Sequence, residues 1–184
     1  MDINSVKYHI TTTWPSYEEA EKATNFEIAE FLSKIFRDGV LAEISRTMNL
    51  KEYPNCGSIG HIVLIAICSA IDSISAYNSG GGGVGTRYTG FITKYFPSNY
   101  IGKEDILYKS FRCDSVHGWN LHRSVISGIP NDPCHLNIIE GMPYISLYDL
   151  FNDLSKALDN YLDQLKNDDN LKINFIRRYK EIKK

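Results

Sequence analysis

Arg112 and His117 are the two side chains whose types and spacing permit chemistry most directly in this chain. They lie in Ile106-Leu107-Tyr108-Lys109-Ser110-Phe111-Arg112-Cys113-Asp114-Ser115-Val116-His117-Gly118-Trp119. A histidine titrates near neutral pH and carries a proton in either direction. An arginine stays charged and grips a phosphate with a rigid fork of donors. Asp114, three residues before His117, shares its helical face and is spaced to orient the imidazole. The three together read as an acid–base and anion-binding group. A regular helix, however, sets Arg112 and His117 about 140° apart, at about 7.5 Å of rise. They then share a cleft only where the helix ends, or where a second copy faces it across a two-fold axis. Gly118 predicts a helix end at His117. The same spacing also suits a surface arginine and a C-terminal histidine that complements the helix dipole.

The elements that must position these residues are helical. Ser16, with Glu19 three residues on, reads as a capping box, and apolar residues from Phe26 to Ile44 recur at spacings of three and four. That predicts helix from Ser16 to about Met48, with a break near Asn25. A strongly apolar helix is expected from about Ser58 to Asn78, apolar almost all round as in the centre of a bundle. Interrupted by His61, Ser69, Asp72 and Ser73, it reads as buried and not as a membrane span. Ser79 to Gly85 reads as a flexible linker, followed by helices over 86–96 and over 104–116. Between Leu121 and Met142, Ser124-Val125-Ile126 and His135 to Ile139 suggest a small hairpin with a long loop. Ser146 reopens helix to about Leu165, and Asn167-Asp168-Asp169-Asn170 separates it from a last, basic helix. The expected fold class is all-α, one domain over 1–184, with a polar segment at 1–15 and a minor β insertion at 121–142.

Composition bounds what this architecture does. An apolar fraction of 43% and a charged fraction of 23% exclude a disordered or low-complexity chain. A net charge of −2 leaves no whole-molecule attraction for nucleic acid, so a polyanion must be held by a local basic site. The start of the chain has no signal-peptide pattern, and Cys56, Cys68, Cys113 and Cys134 form no close pair, so a cytoplasmic location with free thiols is expected, with no membrane partner. Gly80-x-Gly82-x-x-Gly85 matches a dinucleotide fingerprint in letters, but it follows a helix where that fingerprint follows a strand, and a helix connector is the expected role. Cys113, His117, His122, Cys134 and His135 lack the paired spacing of a zinc site, so neither metal nor cofactor is expected. His122 and Arg123 extend the motif toward an RNA-binding rim or form a solvated loop pair. The Arg177 to Lys184 cluster suits a nucleic-acid edge or a solvated face.

Arg112-x-x-x-x-His117, late in a helix of an all-α domain, resembles the R-x(4–6)-H signature of the HEPN superfamily. The apolar helix around Ile62 to Ile74, the Tyr88…Phe91-Ile92…Tyr95-Phe96-Pro97 segment and Leu107-Tyr108…Phe111-Arg112…Val116-His117 are similar to small prokaryotic HEPN-type proteins, over about residues 58–122. The resemblance implies a HEPN-like helical bundle and metal-independent cleavage of RNA by a homodimer whose motif helices pair. It implies a toxin or phage-defence effector, with an antitoxin or regulatory protein as a further partner. Arg112 would hold the scissile phosphate, His117 would transfer protons, and Asp114 would take the polar role that in this family usually follows the arginine, where this chain has Cys113. Trp119 stands where one toxin branch carries the tyrosine that receives AMP. A non-catalytic dimerising module that binds RNA or protein is the alternative.

Overall fold

The structure is a computed structural model and describes residues 16–49, 59–118 and 124–182. Local sequence sets the first helices. Ser16 with Glu19, and Thr24 with Glu27, form capping boxes that open α1 (Tyr17–Lys22) and α2 (Asn25–Ser33). The expected break near Asn25 is thus a second N-cap, with Ala23 extended between the two helices. A π-helical stretch, Lys34–Leu41, carries α2 into α3 (Ala42–Met48).

α4 (Ile59–Ser79) runs through the middle and packs against α3 and against α5 (Val84–Tyr95), α8 (Leu147–Leu165) and α9 (Asp169–Ile182). Leu64, Ile67, Ile71 and Ile74 of α4 are wholly buried, as are Phe91 and Ile92 of α5 and Leu154, Leu158 and Tyr161 of α8. Each of the leucine, isoleucine and phenylalanine side chains stabilises the fold by about 1.5–3 kcal/mol. Gly60–Ser79 has the length and mean hydropathy, 1.5, of a helix able to cross a membrane, and 56% of that window is buried in the bundle.

The glycine run between α4 and α5 is a fixed turn and not the flexible linker that its composition predicts. Gly80 is buried with φ +68°, and a Cβ there would lie 2.9 Å from the Asn174 backbone in α9. Asn174 also donates from Nδ2 to the Asn78 carbonyl, at 2.7 Å. The motif helix is assembled from α6 (Glu104–Ile106), a second π-helical stretch (Leu107–Cys113) and α7 (Asp114–Gly118).

The β insertion differs from the expected hairpin. β1 (Val125–Ser127) pairs in parallel with β3 (Met142–Ser146), and β2 (Ile138–Ile139) pairs antiparallel with β3, giving the order β1-β3-β2. The two segments expected to pair with each other are thus separated by a third strand. The hairpin is β2–β3, turning at Glu140 and Gly141, with φ of 51° and 77°. Two positive φ values make the kind of turn normally marked by Asn-Gly, and a glutamate in its first position conceals it. Ser146 then caps α8 as expected, its hydroxyl accepting from the Asp149 amide.

Candidate active site

The motif helix is not a regular α-helix where it matters. Leu107 and Phe111 are buried and anchor it to the core. Over Leu107–Cys113 the hydrogen bonds span five residues, so a turn is wider than 3.6 residues and positions five apart return to one side. The Phe111 carbonyl accepts from the Asp114 amide and from the buried Ser115 hydroxyl, a side-chain bond that competes with the regular ladder. Just past this stretch Arg112 Nη1 lies 3.1 Å from His117 Nε2 within one chain. The long arginine side chain closes the gap expected from the spacing, and no second copy is needed to bring the pair together.

Arginine only donates, so this contact is a hydrogen bond while Nε2 is unprotonated, and it selects the Nδ1–H tautomer of His117. His117 is exposed. The other arm of the fork, Arg112 Nη2, donates to Asp72 Oδ2 at 2.7 Å, and the guanidinium lies 5.7 Å from the Tyr108 ring centre. Burial works against the Arg112 charge, but the Asp72 carboxylate outweighs it and raises the guanidinium pKa. Tyr108 is seated by Gly85, where a Cβ would come within 3.0 Å of the tyrosine ring.

Asp72 also binds a second arginine. Its Oδ1 accepts from Arg87 Nη2 at 3.1 Å, and Arg87 Nη1 donates to the Gly82 carbonyl at 3.1 Å. The two arginines are each 14% exposed and Asp72 is 18% exposed. Two guanidinium charges against one carboxylate leave an excess of positive charge in a mostly buried site. Water solvates such a charge poorly there, so an anionic ligand is the natural complement. Sequence reasoning missed Asp72 and Arg87. The signal was a carboxylate in the middle of a core helix, which requires a cation nearby.

The remaining candidates fall differently. Asp114 is exposed and makes no hydrogen bond to His117, and among the described residues the side chain that hydrogen-bonds the imidazole is Arg112. His122 and Arg123 lie outside the described residues, as do Trp119 and Cys56. Cys68, Cys113 and Cys134 are free thiols, and burial pushes the Cys68 thiol up to about 12. Among the described residues no three His, Cys, Asp or Glu side chains converge as a metal-binding group. In the basic C-terminal helix, Arg178 pairs with Glu181, Lys180 pairs with Glu21 and lies over the Tyr17 ring, and Tyr179 is buried in the core.

A second polar cluster lies beside α8, where a cavity of about 320 Å³ is lined by Asn99, Asp132, His135, Asp149, Asp153 and Lys156, among others. The Ser146 amide donates to His135 Nδ1 at 3.1 Å, Nε2 contacts the Tyr100 hydroxyl at 2.9 Å, and that hydroxyl donates to Asp153 at 3.0 Å. Asp149 accepts from the amides of Asn131 and Asp132. Asp132 accepts from Ser127, Tyr144 and the Cys134 amide, which together hold its carboxyl below the usual range, the Tyr144 bond most strongly. These bonds fasten the loop before β2 onto α8.

Comparisons of the chain with protein-family models, with curated proteins and with solved structures find no match.

Proposed function

We propose that the chain is a metal-independent endoribonuclease of HEPN type, acting through Arg112 and His117. The observation that carries this reading is the 3.1 Å contact between the two side chains at the exposed end of the motif helix, in a site with surplus positive charge. A phosphodiester entering the site takes a guanidinium arm of Arg112, which stabilises the charge that gathers on phosphorus-bound oxygen. His117 Nε2, released from Arg112, accepts the proton of the 2′-hydroxyl as that oxygen attacks phosphorus. The bond to the 5′-oxygen breaks, leaving a 2′,3′-cyclic phosphate and a 5′-hydroxyl. The leaving oxygen takes its proton from a second donor, and in the homodimer implied by the HEPN resemblance that donor is His117 of the other copy. A toxin or phage-defence setting in the cytoplasm, with an antitoxin or regulatory protein, belongs to the same reading.

The alternative, a HEPN-like module that dimerises and binds RNA or a protein partner without cutting, is favoured by one feature. Cys113 stands where the family's pattern carries a polar residue after the arginine.

The deciding experiment is cleavage of single-stranded RNA in EDTA by wild type and by His117→Ala, purified identically. We expect a loss of about 10²–10⁴-fold in the variant, the scale of a general acid–base group. Arg112→Lys should lose activity as well, because an ammonium cannot reach Asp72, His117 and phosphate with one planar fork. DNA, which lacks the attacking hydroxyl, should not be cut. Equal activity in wild type and His117→Ala, or none in either, leaves the binding module as the better reading.

A further inference from the structure

We infer that Arg87 binds a second phosphate of the nucleic acid, next to the one held by Arg112, so that the site takes strands with at least two consecutive phosphodiesters. This rests on the reading of Arg112 and His117 as a phosphodiester site, and it adds a subsite on the α4–α5 side.

Three observations carry it. First, Asp72 fixes the two arginines side by side, one on each carboxylate oxygen, at 2.7 Å and 3.1 Å. Two guanidiniums against one carboxylate leave the pair one net positive charge, which is shared between neighbouring arginines and is not confined to Arg112. Second, Arg87 forms part of the wall of a cavity of about 240 Å³, with Ser79, Gly82, Gly83, Thr86 and Gly90. A Cβ added at Gly82 or Gly90 would meet nothing within 4 Å, so the cavity has room and no side chain guards it. Third, the guanidinium is not placed for its own satisfaction. Its Nε–H is buried and meets no acceptor among the described residues, an arrangement that costs about 1–3 kcal/mol. Glu181, whose carboxylate approaches Gly81, is ion-paired with Arg178 at 3.0 Å. A strand held at Arg112 therefore finds its next cation across Asp72, at the edge of an open cavity.

The test uses 2′-O-methyl oligonucleotides, which bind but cannot be cut, so a chain that proves not to be a ribonuclease still gives a readable answer. Binding of a dinucleotide, with one phosphodiester, and of a trinucleotide, with two, is measured by calorimetry for wild type, Arg87→Gln and Gly90→Glu. Wild type should hold the trinucleotide about tenfold more tightly, the scale of one charge-assisted contact. Arg87→Gln should erase that gain, while the dinucleotide, which feels only the lost charge, weakens less than the trinucleotide. Gly90→Glu touches no bond of Arg87 but sets a carboxylate in the cavity, and it should erase the gain too. With a hexanucleotide, the slope of log K against log salt should fall by about 0.7 in Arg87→Gln, as for one lost phosphate contact. The inference is overturned if wild type gains nothing from the second phosphodiester, if Arg87→Gln weakens both ligands equally, or if Gly90→Glu leaves the gain intact.

Discussion

His117 stands exposed at the end of the motif helix, with Nε2 against a cation that other groups also hold. His135 is half-buried beside α8, with a backbone amide on Nδ1 and a tyrosine hydroxyl on Nε2. The first is open to solvent, and its proposed role needs a ligand to take its arginine partner. The second accepts at Nδ1 from an N–H, which requires the neutral ring, and Nε2–H then donates to Tyr100, whose hydroxyl donates onward to Asp153. Burial lowers the His135 pKa in the same sense. Histidine type alone therefore says little. What separates the two rings is that His135 is held by a backbone amide and a buried tyrosine, whereas His117 meets an arginine fork at an exposed helix end.

The contrast is broken most sharply by replacing each histidine in turn. His117→Ala should abolish activity while leaving the melting temperature within a degree or two, since an exposed side chain carries little stability. His135→Ala should do the reverse. It strips the Ser146 amide and the Tyr100 hydroxyl of partners and should cost about 1–3 kcal/mol in denaturant unfolding, with cleavage per folded molecule retained. A His135→Ala protein as stable as wild type would remove the structural role argued for that ring.

Next in size is Asp72→Asn. The substitution keeps the shape and removes the charge that holds both arginines. Short RNA should bind more tightly, because the site becomes more positive, yet cleavage of bound RNA should slow by about tenfold as the Arg112 fork loses its seat. Single-turnover kinetics alongside binding separates the two effects. Slower cleavage with weaker binding would show Asp72 to be only a fold-stabilising ion-pair partner.

The smallest effect is on stability against pH. The folded pKa of His135 lies below the unfolded value of 6.5. Above pH 6.5 its contribution is complete. As pH falls below 6.5 the unfolded chain takes up a proton that the folded chain refuses, so stability declines by at most about 1.4 kcal/mol per pH unit until the lower, folded pKa is passed. Denaturation between pH 7.5 and 5.5 should show this loss in wild type and a shallower one in His135→Ala.

Much of the scaffold was legible in the chain. Ser16 and Glu19 announced a helix start, and Ser146 announced another, because capping is decided within four residues. The buried face of α4 followed from its apolar run. The sheet was less legible: β3 includes Pro143, and its turn uses Glu140 where asparagine or aspartate is usual. At the site, the Arg112 and His117 types were visible, but their contact was not. It forms beside a wide turn that Leu107–Cys113 marks with neither glycine nor proline. Asp72 lies fifteen positions from Arg87 and forty from Arg112, and tertiary packing of α4, α5 and the motif helix joins the three.

A helix with one wide turn holds a residue more than a regular helix between the same two anchors, and so it sets the phase between its ends. Upstream, Leu107 and Phe111 are keyed into the core; downstream, the ring of His117 faces the guanidinium. Removing a single exposed position such as Lys109 should restore the regular ladder, in which residues five apart lie about 140° apart around the axis. Every functional residue would remain in the chain, and the pair would no longer meet. A pattern that admits four to six intervening residues counts letters, whereas the chemistry responds to angle. Chains that spell the motif identically can therefore differ in whether they possess it.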